Sequence, residues 1–282
     1  MKILFSILEA LVSLFVKRRP KAIAPSSEYK KLGTTTEGEE WGTTANLSDE
    51  DLEYARQQFE IDQEDPVEKN KIICNGEEVD IDWDSVSIWT EPNALVCKSN
   101  QYRKRVSQRA VSKVVVHWDG CLSSKQCASV LKERGLSAHF CIDNDGTIHQ
   151  LMDANHIAWH AKGVNSTSIG IEISNAVYMK YAKKYKPLRP LAAASELHGK
   201  EFPEHLDFYD VQVQALKALL KSLCEFYNVP LECPNQDGTL IRGVIPTTRY
   251  KGVLCHYHVT DNKSDPACLD LVKVIEEIKD EL

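Results

Sequence analysis

Three short apolar runs, far apart in the chain, each carry one ionisable residue. The first is Val114, Val115 and Val116, ending in His117. Consecutive β-branched residues favour a buried strand, and this one delivers an imidazole at its end. The second, Ser168-Ile-Gly-Ile-Glu-Ile-Ser174, holds a single carboxylate, Glu172, among apolar neighbours. Burying a lone carboxylate is costly unless it has a task or a partner. The third, Val253-Leu-Cys-His-Tyr-His-Val259, reads as a strand carrying His256. A loop follows from 261 to 266, with Lys263 and Asp265 two residues apart. Their separation in sequence is no obstacle, because adjacent strands of a sheet can bring positions 117 and 256 together.

Those residue types are the parts of a hydrolytic zinc site. A catalytic zinc keeps three protein ligands and one position for water. His117 and His256 supply neutral imidazoles and Asp265 a charged oxygen, so these three are the predicted ligands of one Zn2+ ion. Zinc brings the pKa of water down to about 7, which makes a nucleophile available at neutral pH. Glu172 is the predicted general base and later acid. Lys263 is placed to hold a developing oxyanion by charge. His258 is a rival ligand, because residues i and i+2 of a strand share a face. Asp119 either orients His117 or caps the turn after it.

The surrounding pattern alternates short strands with helices. Ser123 or Ser124 caps a helix that runs to Arg134 and stops at Gly135. Residues 138–152 read as a hairpin around Asn144, Asp145 and Gly146. Residues 178–205 are a long excursion rich in Lys, Tyr and Pro. Its Lys180 to Arg189 cluster reads as a solvated loop or as a contact for anionic substrate groups. Residues 207–227 predict an amphipathic helix with Val211, Leu216, Leu219, Leu220, Leu223 and Phe226 toward the core. A helix over 268–281 closes the chain. The expected fold class is α/β (α+β): a central mixed β-sheet flanked by helices, with the metal at strand ends. His139 is read as a satisfied core histidine or one that supports a ligand from behind, and His149, His156, His198 and His205 as surface residues.

Upstream, residues 1–19 read as an amphipathic or membrane-associating helix, with Ser6, Glu9, Ser13 and Lys17 in a polar stripe. An uncleaved anchor, a cleaved signal and a helix packed on its own protein are the alternatives. Residues 20–48 form a linker rich in Pro, Ser, Thr, Gly and Glu. Residues 49–102 are read as a small α+β element, with a capped acidic helix to about Glu60 and a hairpin at Asn75-Gly76. The predicted catalytic domain spans 103–282. A net charge of −7 excludes a nucleic-acid binder, which needs a basic face against phosphates. Nine cysteines without a Cys-x-x-Cys pair argue against a zinc ribbon. Cys121 and Cys127 lie close enough in sequence to bridge in an oxidising compartment.

From His117 onward the chain resembles the zinc-dependent N-acetylmuramoyl-L-alanine amidases. This type 2 amidase domain is shared by phage endolysins, bacterial recycling and autolytic amidases, and peptidoglycan recognition proteins. The matching pieces are Val114-Val-Val-His117, Ser137-Ala-His-Phe-Cys-Ile-Asp-Asn-Asp-Gly-Thr147, Ala158-Trp-His-Ala161, Ser168-Ile-Gly-Ile-Glu172 and His256 with Lys263-Ser-Asp-Pro266. They cover roughly residues 110–275 in the family's order. The resemblance implies ligation by His117, His256 and Asp265, catalysis by Glu172 and Lys263, and hydrolysis of the amide between the muramoyl lactyl group and L-alanine. Trp159, His160 and Asn165 are the expected substrate-groove residues. Ala138 stands where some relatives have a catalytic tyrosine, which leaves the proton work to Glu172. Asp265 stands where others use cysteine, and Cys255 and Ala267 replace glycines usual in the family. Peptidoglycan is the implied partner and the bacterial cell wall the implied place of action. Alternative readings are a non-catalytic peptidoglycan-binding domain, or a wall-degrading component tethered to a virion or membrane through residues 1–19.

Overall fold

The structure, a computed structural model, describes residues 70–104 and 110–282. The expected N-terminal helix, the linker and the capped acidic helix lie outside the described residues. Eight strands and three helices carry the argument. They are β1 (Lys71–Cys74), β2 (Glu77–Asp80), β3 (Val86–Ile88), β4 (Lys113–Trp118), α1 (Ser124–Arg134), β5 (Phe140–Ile142), β6 (Ile148–Gln150), β7 (Ser168–Ile173), α2 (Asp210–Tyr227), β8 (Gly252–Cys255) and α3 (Leu271–Asp280).

Six of the strands form one mixed sheet in the order β8-β4-β7-β5-β6-β3. The first three run parallel and β7 continues parallel to β5. β5 and β6 are the antiparallel hairpin expected around Gly146, whose φ is +84°. The expected α/β architecture with a mixed sheet is therefore the observed one. α1 has Ser123 as its cap, with the hydroxyl accepting from Gln126 N–H, and stops at Gly135 in the left-handed region.

The two faces of the sheet are built by alternation. Val114, Val116, Ile169, Ile171, Ile173, Val253 and Cys255 point into one core, against Leu216, Leu219, Leu220 and Leu223 of α2 and Val274, Ile275 and Ile278 of α3. Each fully buried leucine there contributes about 1.5 to 3 kcal/mol. Val211 is a correction to the expected core face: it lies in the first turn of α2 and is 37% exposed. Lys217 of α2 ties down α3 through Glu281 at 2.8 Å.

The hairpin at Asn75-Gly76 is present, with both residues at positive φ, joining β1 to β2. Ile72, Cys74 and Ile81 enter the main core, and β3 pairs parallel with β6 at the sheet edge. The Trp83 indole N–H donates to Gly146 O at 2.8 Å. Trp83 is thus a packing residue. All nine cysteines, Cys121 and Cys127 included, are free thiols. Among the described residues no helix is long and apolar enough to cross a membrane.

The excursion after β7 is pinned by one member of its Lys180 to Arg189 cluster, which serves neither as solvated loop nor as an anion contact but as a buried anchor. Lys180, Lys183, Lys184 and Lys186 are exposed, but Arg189 is buried. Its guanidinium lies 4.4 Å from the Tyr185 ring and 4.5 Å from that of Tyr209. It donates to Asp207 O at 2.8 Å, Ser174 O at 2.5 Å, Gln212 Oε1 at 3.0 Å, and also to Asn144. Arg189→Ala is expected to destabilise the fold by about 3 kcal/mol, because it strands several buried acceptors. Thermal unfolding should show a fall in Tm of roughly 6 to 12 °C for a domain of this size. A Tm within about 2 °C of wild type would remove Arg189 from this role.

Candidate active site

Parallel register brings three of the candidate residues together. Cys255 of β8 pairs with Val116, so His256 follows beside His117. His117 pairs directly with Glu172 across β4 and β7. Positions 256, 117 and 172 therefore form a row at the carboxyl ends of three neighbouring strands, the usual place for a site in such sheets. Tyr257 N–H donates to Asp265 O at 3.2 Å, which folds the following loop back so that Asp265 joins the row.

Three atoms converge there. His117 Nδ1, His256 Nδ1 and Asp265 Oδ2 are each 2.9 Å from the other two. All three residues are buried. No placement of protons satisfies this triangle. The carboxylate oxygen only accepts, so bonding it to both rings requires both Nδ1 atoms to carry protons. Two N–H groups then face each other at 2.9 Å. Removing either proton instead sets a ring lone pair against the carboxylate. A cation shared by the three atoms resolves both conflicts, and two imidazoles with one carboxylate suit zinc. Burial, with His256 close by, pushes the His117 pKa down to about 4. Hydrogen bonds to the two histidines hold the Asp265 carboxyl well below the usual range despite its burial. Both groups are thus in the protonation state that a metal requires.

Glu172 is buried, and its pKa is raised well above the usual carboxylate value. Burial is the main cause; the charges of Asp265 and Asp119 add to it and Lys263 opposes it. Lys263 is exposed on the loop, where its main-chain oxygen accepts from His198 Nε2 at 2.9 Å. A cavity of about 210 Å3 opens over the row, and its walls include Glu172, Lys263, Asp265, Trp159, His160 and Cys121.

His258 is not a ligand. The predicted strand over 253–259 ends at Cys255, and residues 256–258 form one turn of 3-10 helix. The shared face expected of a strand is lost there. The His258 Nδ1 accepts from Cys255 N–H at 2.9 Å, and its Nε2–H donates to Ile241 O at 2.6 Å. Both nitrogens are used. Asp119 is a turn cap. It accepts from Cys121 N–H at 2.8 Å, Asn175 N–H at 3.0 Å and the Ser174 hydroxyl at 3.0 Å, joining the ends of β4 and β7.

Trp159, 36% exposed, and His160 both line the cavity. Asn165 does other work: its Oδ1 accepts from His160 N–H at 3.2 Å and Ala161 N–H at 2.7 Å, which fixes the segment carrying His160. His139 is a satisfied core histidine, as expected, accepting from Gly170 N–H and donating to His156 O. His205 is buried rather than on the surface, with its ring 5.5 Å from Trp118. Ser168 and Gly170 belong to the site as well, although the motif that contains them assigns a role only to Glu172. The signal was available: with Glu172 they occupy alternate positions of one strand face.

A family model described as N-acetylmuramoyl-L-alanine amidase matches residues 107–268, more than half of the chain. No curated protein matches it. Among solved structures, the amidase LysC from Clostridium intestinale URNW is 17% identical, with 70% of this chain and 99% of that one covered and a TM-score of 0.43. AmpDh3 from Pseudomonas aeruginosa, in complex with an anhydromuramic pentapeptide, is 24% identical over 66% of each chain, with a TM-score of 0.41. AmiD from E. coli, in complex with anhydro-N-acetylmuramic acid-L-Ala-D-γ-Glu-L-Lys, is 18% identical over 58% of this chain and 55% of its own, with a TM-score of 0.36. On the extent of the family match, this chain belongs to the N-acetylmuramoyl-L-alanine amidases.

Proposed function

We propose that this chain hydrolyses, with one zinc ion, the amide joining the lactyl group of N-acetylmuramic acid to L-alanine in peptidoglycan. The observation that carries the reading is the His117, His256 and Asp265 triangle, set in register beside Glu172 at the floor of the cavity. When bound by those three residues, zinc supplies Lewis-acid polarisation and a water acidified toward neutral pH. The rest falls to the chain. Glu172 takes the proton from the attacking water and passes it to the leaving amine of L-alanine. A carboxyl raised by burial suits the second half of that cycle, because it holds a proton readily. Lys263 brings positive charge to the cavity where negative charge grows on the carbonyl oxygen. Trp159 offers an amphipathic wall for the sugar or peptide.

On this reading the chain acts at the bacterial cell wall, with peptidoglycan or its fragments as its partner. An endolysin-like role in wall lysis fits that chemistry. Tethering to a membrane or particle through residues 1–19 is the alternative reading: removal of residues 1–48 should then leave hydrolysis intact and abolish membrane or particle association.

The test is incubation of zinc-loaded protein with purified peptidoglycan, assayed for newly freed N-terminal alanine. New alanine N-termini on the stem peptide should appear with wild type and vanish after chelation, then return with added zinc. Zinc-loaded protein that binds the wall but frees no alanine would refute the reading.

A further inference from the structure

We infer that Ser168 and His160 are positioning residues which, through a chain of hydrogen bonds, fix the ring tautomer of His117 that binds metal. The inference rests on the reading of His117 as a ligand. His160 comes from the segment after Ala158, and its ring lies against the backbone of Gly170. A Cβ at 170 would sit 2.5 Å from the His160 Cγ, so only glycine leaves room for the ring. Three distances then define the chain. Ser168 Oγ is 2.9 Å from Val164 O. His160 Nε2 is 3.1 Å from Ser168 Oγ. His160 Nδ1 is 3.0 Å from His117 Nε2.

The direction of each bond follows from counting protons. Val164 O is a carbonyl and only accepts, so the single Ser168 hydroxyl proton goes to it. The Ser168 oxygen therefore accepts from His160 Nε2–H. Neutral His160, protonated at Nε2, has a lone pair at Nδ1. That lone pair accepts from His117 Nε2–H. Neutral His117, protonated at Nε2, presents a lone pair at Nδ1, the atom that faces His256 Nδ1 and Asp265 Oδ2. The opposite tautomer of His117 would direct an N–H at the metal position and could not ligate. A partner on the far nitrogen commonly sets a metal-binding histidine in this way. Here the partner is a second histidine, itself set by a serine.

The strand makes this economical. Ser168, Gly170 and Glu172 share one face of β7. Ser168 sets the chain, Gly170 makes space for it, and Glu172 stands at the chemistry.

The test joins zinc affinity with a direct view of the tautomers. Zinc titration against a competing chelator should give Ser168→Ala a Kd about tenfold weaker and His160→Ala one about ten- to a hundredfold weaker. His160→Asn keeps an acceptor near the Nδ1 position and should recover most of the loss. Long-range 1H–15N spectra of histidine-labelled, metal-free wild type should show both His117 and His160 protonated at Nε2. In Ser168→Ala the His117 signal should become a mixture of tautomers. Wild type with His117 protonated at Nδ1 overturns the inference, whether or not any variant folds. So does an unchanged Kd and tautomer in Ser168→Ala, or His160→Asn binding as poorly as His160→Ala. A wild type that binds no zinc at all overturns the ligand assignment instead.

Discussion

Asp265→Ala is expected to lose zinc and activity together. Its carboxylate is the only anionic member of the triangle, and it meets both rings at 2.9 Å. Two imidazoles alone leave the ion short of the three protein ligands that a catalytic zinc keeps. Removing a partner outside the ligand shell already weakens metal sites about 10- to 100-fold, so loss of a ligand should exceed about a hundredfold. Dialysed wild type should retain close to one zinc per chain and the variant almost none. Thermal melts offer a second reading. Zinc at a hundred times its Kd stabilises a folded protein by about 2.7 kcal/mol. Wild type should show that gain in Tm on zinc addition, and Asp265→Ala should not. Full metal occupancy in the purified variant would take Asp265 out of the ligand set.

Much of this site was legible in the sequence because each member sits where a local rule applies. His117 ends a run of valines, and Glu172 is the lone charge in an apolar strand. Asn75-Gly76, Gly146, Ser123 and Gly135 mark turns and a helix boundary through backbone conformations that few other residues favour. What escaped depends on contacts between distant segments. β3 has three residues and joins the sheet by pairing with β6, about 60 residues on, and nothing local announces that register. His258 is removed from the ligand set by a turn that begins one residue after a strand of typical composition. Arg189 sits among four exposed lysines in the sequence, and only the fold reveals two tyrosine rings and four acceptors closing on it. Ser168 and Gly170 carry no chemistry of their own; they matter through His160, which arrives from another loop.

Glu172→Gln separates chemistry from metal binding. The substitution keeps the volume of the side chain and makes no change to the triangle, so zinc content should match wild type. What it removes is the ability to take a proton from water and return it to the amine. Loss of a positioned general base typically lowers turnover by about two to four orders of magnitude. That corresponds to about 3 to 5 kcal/mol of barrier. The fall should appear in kcat, with KM close to wild type, because Glu172 acts on the proton in flight rather than on the bound ground state. Its environment supports that assignment over a structural one. A carboxyl placed only for an ion pair would sit against a cation; Glu172 is buried, and burial is the main cause that raises its pKa. Alanine release within tenfold of wild type would dismiss Glu172 as the base. A variant that lost zinc as well would show that Glu172 belongs to the metal site and not to the proton transfer.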